Sequence, residues 1–276
     1  MKKIKHFLLI AVLLCSFRSG YSQSPLLKAD SLYVMLFPDL PETMFHQIID
    51  STAKTKMSYY LPKNYNREKK YPLLLWLNGS TGGPGTDIGY ARNLTHDSDF
   101  ICVNLPLFID SLSALEPDSS NYWSRMYIYK QGAIVKNWSC FKIMLDTLFN
   151  RIQNIDKKHC FMGGFSNGAH VTAGILNLPK AEIKNYFTGF YFMEGGQAFS
   201  NYTVLKNHPL LIMLGDKHGW KHDEEEQFIQ SSNIQFAEAK KEGVDAEMLV
   251  GKGIGHEMAP VFTAKLRNWL RGKKTK

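Results

Sequence analysis

Cysteine is scarce in this chain: four residues in 276, with no Cys-x-x-Cys pair among them. That removes the spacing of a redox-active dithiol, and no motif supports a cysteine nucleophile. Past residue 22 no apolar run is long enough to span a membrane, which takes about 20 residues. Internal repeats and low-complexity tracts are absent as well. The glycine-rich stretch Gly79 to Gly89 lacks the Gly-Lys-Ser/Thr ending of a phosphate-binding loop. No basic-aromatic stripe or glycine-rich single-strand motif points to nucleic acid. The basic tail Arg271-Gly272-Lys273-Lys274 reads as a solvated end.

The amino terminus has the pattern of a signal peptide. Lys2, Lys3 and Lys5 precede an apolar run from Phe7 to Leu14, and Gly20 and Ser22 supply small residues for cleavage after Ser22. Leu14 stands before Cys15 where lipid attachment wants a small residue, so a lipid anchor is disfavoured. The expectation is a secreted or periplasmic protein with residues 1–22 as signal and 23–276 as one domain, without a membrane anchor. Losing Lys2, Lys3, Lys5 and Arg18 takes the formal charge from +8 to +4. Part of the basicity thus belongs to sorting, which weakens any argument for a nucleic-acid partner. The remaining thiols, Cys102, Cys140 and Cys160, are odd in number; Cys102 and Cys160 sit in strand-like runs, so buried free thiols are expected.

Hydrophobic residues make up 44% of the chain and charged residues 21%, which are globular values. Strand-like segments are Lys56–Leu61, Tyr71–Leu77, Phe100–Leu105, Cys160–Gly163, Phe187–Met193, Leu210–Leu214 and Ala246–Val250. Helical spacing occupies Ile134 to Ile152, Asn167 to Leu176, Glu224 to Lys241 (closed by Gly243) and Pro260 to Leu270. Residues 106–131 read as a long surface loop. Strands that are apolar throughout and alternate with helices predict an α/β fold: a mostly parallel sheet covered on both faces.

The sharpest motif is Gly164-Phe165-Ser166-Asn167-Gly168, placed between a strand and a helix. A serine hydroxyl is a weak nucleophile. It must project from a tight turn for a base to reach it, and the turn needs small residues on either side. The Asn167 N–H would face a developing oxyanion at a helix start.

At these residues the chain resembles the α/β-hydrolase superfamily. Tyr60-Leu61-Pro62-Lys63, Tyr71 to Gly79 and the Ser166 elbow are similar to the secreted esterase branch of polyhydroxybutyrate depolymerases and feruloyl or acetylxylan esterases. That branch usually has His-Gly where Asn78-Gly79 stands. The resemblance implies a single-domain α/β-hydrolase fold, ester hydrolysis through an acyl-enzyme, and no cofactor or metal. The second oxyanion donor would be the N–H of Ser80, with Thr81 next. The base would be His256, in Gly253-Ile254-Gly255-His256-Glu257 after the final strand, where a near-neutral pKa suits proton relay. His170, one helical turn past Ser166, would pack or line the pocket.

The acid is less defined. Chain order places it after Leu210–Leu214. In many relatives it falls three residues past the strand-ending glycine, which here is His218. Asp216 is the preferred residue, with Asp223 and Glu194 as alternatives. The spacing His218-x3-His222 beside Asp223 suits a metal only on a helix, and Gly219-Trp220 interrupts one there. Tyr122, Trp123, Tyr127 and Tyr129 would stack on a substrate ring or pack their own loop. The expected partner is a small-molecule or polysaccharide ester, an acylated carbohydrate first. A peptidase of the same fold, or a silent binding protein on this scaffold, is the alternative.

Overall fold

Along the central strands of this protein apolar side chains do not alternate with polar ones; they alternate between two cores. In the strand Tyr71–Leu77 (β4), Leu73, Leu75 and Leu77 enter one cluster while Leu74 and Trp76 enter another. Leu210, Ile212 and Leu214 of Leu210–Gly215 (β9) join the first, and Leu211 and Met213 the second. Successive side chains on a strand point to opposite faces, so both faces of the sheet are covered.

The computed structural model describes residues 27–37, 40, 45–47, 55–80, 85–110 and 131–274. The signal-peptide segment, Thr81, the aromatics from Tyr122 to Tyr129 and most of the expected 106–131 loop lie outside the described residues. The other strands are Ser31–Phe37 (β1), Phe45–Gln47 (β2), Thr55–Leu61 (β3), Ile101–Asn104 (β5), Phe108–Asp110 (β6), Ile155–Phe165 (β7), Gly189–Met193 (β8) and Ala246–Gly251 (β10). Eight of them form one sheet in the order β1-β3-β5-β4-β7-β8-β9-β10. β1 and β3 run antiparallel to their neighbours, and the rest from β5 to β10 are parallel. β2 pairs with β6 in a separate two-stranded ribbon, and β6 lies inside the 106–131 segment that the sequence reads as loop. A three-residue strand carries too little periodicity to stand out from a loop.

Among the described residues five α-helices cover the sheet: Gly89–Thr95 (α1), Gln131–Arg151 (α2), Asn167–Leu176 (α3), His222–Lys241 (α4) and Pro260–Lys274 (α5). α2 and α3 supply Ile134, Phe141, Leu145 and Val171 to the first cluster, and Phe228 and Phe236 of α4 pack against it. α1 and α5 supply Leu94, Phe262 and Trp269 to the second. α4 begins with Asp223, Glu224 and Glu225 and ends with Lys240 and Lys241, charges that oppose the helix dipole at each end. Gly243 follows at φ 78°, a left-handed stop that suits glycine. None of the described helices is long and apolar enough to cross a membrane.

Candidate active site

The carboxyl ends of parallel strands converge, and the sheet's hydrogen bonding runs one residue beyond each strand end. Ser166 N–H donates to Met193 O at 2.9 Å, Glu194 N–H to Met213 O at 2.8 Å, and Asp216 N–H to Gly251 O at 3.2 Å. Ser166, Glu194 and Asp216 are thereby locked side by side, each the first residue after β7, β8 and β9. The crevice outside such strand ends is where open α/β sheets bind ligands.

Ser166 itself is at φ 51°, ψ −117°, a conformation a non-glycine residue holds only when its surroundings enforce it. The enforcement is steric closeness to β4. A Cβ on Gly164 would stand 2.3 Å from Leu77 O, and one on Gly168 also 2.3 Å from that oxygen. Both glycines are thus required by a backbone neighbour, and the strand-to-helix bend lifts the serine side chain outward.

His256 Nε2 lies 3.0 Å from Ser166 Oγ. The imidazole sits against Phe165, with ring centroids 4.9 Å apart, and its side chain is 30% exposed, leaving a route to a ligand. The loop carrying it is zipped to the loop after β9. Lys217 N–H donates to Ile254 O at 2.9 Å, and Gly253 N–H donates to Asp216 Oδ1 at 2.5 Å.

That last bond decides what Asp216 does. Its carboxylate is engaged by the turn preceding His256. Asp223 is exposed in the first turn of α4. The carboxylate that reaches His256 is that of Glu194, whose Oε2 is 3.5 Å from Nδ1. Glu194 is fully buried and at φ 54°. This left-handed turn, continued by Gly195 and Gly196, sends the side chain back beneath the imidazole. Gly195 is held to glycine because a Cβ there would meet Ser166 O at 2.6 Å. The sequence did carry a signal: a carboxylate at a strand end followed by two glycines. The chain-order rule points to the loop after β9, whereas the carboxylate within 4 Å of His256 follows β8.

The residue at the rule's position, His218, is fully buried and its Nε2 is 2.7 Å from Glu194 Oε2. Glu194 Oε1 accepts from Gly215 N–H at 2.6 Å. His218 stacks on Trp220 at 4.3 Å and meets Phe228 edge-on at 4.9 Å. Metal-ligand atoms of Glu194, His218 and His256 lie within 4.8 Å of one another; His222 and Asp223 are not part of this group. Two ligands of one tetrahedral zinc stand about 3.3 Å apart, so the 2.7 Å contact is a hydrogen bond in geometry.

On the other side of Ser166, Asn167 Nδ2 donates to Ser80 O at 2.7 Å, tying the loop after β4 to the start of α3. Ser80 is at φ 52°, and Gly79 lies so close that a Cβ would be 3.1 Å from Ser166 Cβ. The loop therefore passes over Ser166. Asn78, in the place where the resemblance implies histidine, holds it by side-chain bonds: Trp76 Nε1 donates to Asn78 Oδ1 at 2.7 Å, and Asn78 Nδ2 to Asp87 O at 3.2 Å. His170 accepts Gly196 N–H on Nδ1 at 3.2 Å. Burial first, and His256 second, lower its pKa to about 4, so it is a neutral support for the Glu194 turn.

The fold that carries these residues is shared with solved structures. The Bacillus cereus carboxylesterase superposes with a TM-score of 0.53 at 16% identity, over 81% of this chain and 96% of its own. Dienelactone hydrolase from Anabaena variabilis ATCC 29413 gives 0.52 at 11%, over 88% and 96%. The AtxE2 isopeptidase gives 0.54 at 14%, over 88% of this chain but 44% of its own. No family model matches the sequence, and no curated protein matches it. At these identities the likeness is one of fold: an α/β architecture built on an eight-stranded, mostly parallel sheet with helices on both faces.

Proposed function

We propose that the chain is a serine esterase with Ser166 as nucleophile, His256 as base and Glu194, in place of Asp216, as the acid. The observation that carries this is the 3.0 Å contact between His256 Nε2 and Ser166 Oγ at a strained elbow. His256 takes the Ser166 proton as Oγ attacks the acyl carbon. The oxyanion is met by the N–H of Asn167 at the start of α3 and by that of Ser80. Glu194 keeps His256 in the tautomer with its proton on Nδ1 and offsets the imidazolium charge. The imidazolium gives its proton to the departing alcohol. His256 then draws a proton from water, which attacks the acyl group and frees the acid and Ser166.

A secreted or periplasmic setting and an acylated carbohydrate substrate extend this reading. They rest on the amino-terminal pattern and on the resemblance to secreted esterases. An amide-cleaving variant is kept in view by the isopeptidase of like fold. Purified mature protein should take a fluorophosphonate on Ser166 and turn over chromogenic and acetylated-sugar esters. Folded protein that neither labels nor turns over would refute the proposal, and faster cleavage of peptide amides than of esters would move it to the peptidases.

A further inference from the structure

We infer that His218 is a positioning residue for the acid, so that Glu194 is shared by two imidazoles, one catalytic and one structural. The inference rests on the esterase reading above and adds a residue to it.

A glutamate has one more rotatable bond than an aspartate, and a buried one must be clamped to present an oxygen reproducibly. Glu194 is clamped at both oxygens. Gly215 N–H donates to Oε1 at 2.6 Å and His218 Nε2 to Oε2 at 2.7 Å. A carboxylate oxygen only accepts, so the proton on His218 lies on Nε2. His218 is itself held on three sides. Trp220 stacks on it, Phe228 meets it edge-on, and its main-chain N–H donates to Glu225 Oε1.

His256 Nδ1 is buried without a hydrogen bond, and the same Oε2 stands 3.5 Å away. In the resting arrangement the oxygen is thus held by His218 and is only approached by His256. When His256 becomes an imidazolium, its Nδ1–H turns into a charged donor and closes on an oxygen already in place. His218 fixes that oxygen in advance, which lowers the reorganisation needed as charge develops.

The test compares H218F with H218Q. Phenylalanine keeps a ring against Trp220 and Phe228 but offers no proton. Glutamine keeps an N–H close to the Nε2 position but loses the ring. The expected result is a kcat about 10- to 100-fold lower in H218F with KM little changed, and kcat largely restored in H218Q. A packing role would give the opposite order. It would act through Trp220, whose exposed ring lies 5.5 Å from His256, move KM, and leave H218Q the worse variant. H218F at full kcat overturns the inference, as does H218Q no better than H218F when both melt like the parent. The two failures are separable: a parent that neither labels nor turns over esters sinks the esterase reading and this inference with it. A parent that does both, beside an unimpaired H218F, sinks the role of His218 alone.

Discussion

Of the three candidate carboxylates, Glu194 and Asp216 directly follow strand ends, and what separates these two is which hydrogen bonds each already makes. Asp216 receives the Gly253 N–H, and an amide oxygen can accept the same bond. Asp216→Asn should therefore keep kcat within about threefold, whereas Glu194→Gln should lower it on the order of 10³- to 10⁴-fold by disturbing the tautomer of His256. Steady-state kinetics on both variants decide between the two acids. Ser166→Ala should abolish turnover and shift the melting temperature by no more than about 2 °C, since a single half-buried hydroxyl is removed. His170 gives a pH signature of its own. Unfolded, it binds a proton below about pH 6.5; folded, only below about 4. Between those values the unfolded chain holds more protons. Stability contributed by keeping His170 neutral is lost as the pH falls from about 6.5 to about 4, by roughly 3 kcal/mol, and levels off below that. Urea midpoints across this window should fall less steeply in His170→Gln.

At the scale of elements, the site depends on how close β4 and β7 approach. Leu77 O lies against both Gly164 and Gly168, so the elbow is shaped by a neighbouring strand as much as by its own pentapeptide. Gly164→Ala or Gly168→Ala would push a methyl group onto a backbone oxygen that cannot rotate away. Each should cost about 1–3 kcal/mol or more, seen as a lower urea midpoint, and each should slow fluorophosphonate labelling even in the folded fraction. The loops after β9 and β10 behave as one unit, because Lys217 and Asp216 bond to the Ile254 and Gly253 backbone. His256 is therefore carried by two strands rather than by one free loop.

For the molecule as a whole, the two clusters on either face of the sheet also settle the state of the thiols. Cys102, Cys140 and Cys160 are buried and unpaired. Burial pushes each thiol up to about 12, far from the thiolate form that reacts. Ellman's reagent should leave all three untouched in native protein and titrate them on denaturation. A reductant should leave the melting temperature unchanged, since no disulfide occurs among the described residues.

The strand and helix pattern, the glycine-flanked serine and the Gly-His after the last strand could all be read along the chain. Each is a local matter: periodicity shows which face is buried, and a tight bend demands small residues within a few positions. The antiparallel edge strand β1 and the ribbon of β2 with β6 were not legible, because short or one-sided strands resemble loops. Nor was the approach of Glu194 to His256. Glu194 and Asp216 directly follow strand ends, Asp223 lies further on, and the sequence alone ranks them by a rule of order. Their distances to His256 depend on which strands are neighbours, on the ladder bonds that align Ser166, Glu194 and Asp216, and on a left-handed turn that redirects one side chain. Those are relations between segments far apart in sequence, and only the folded sheet brings them into being.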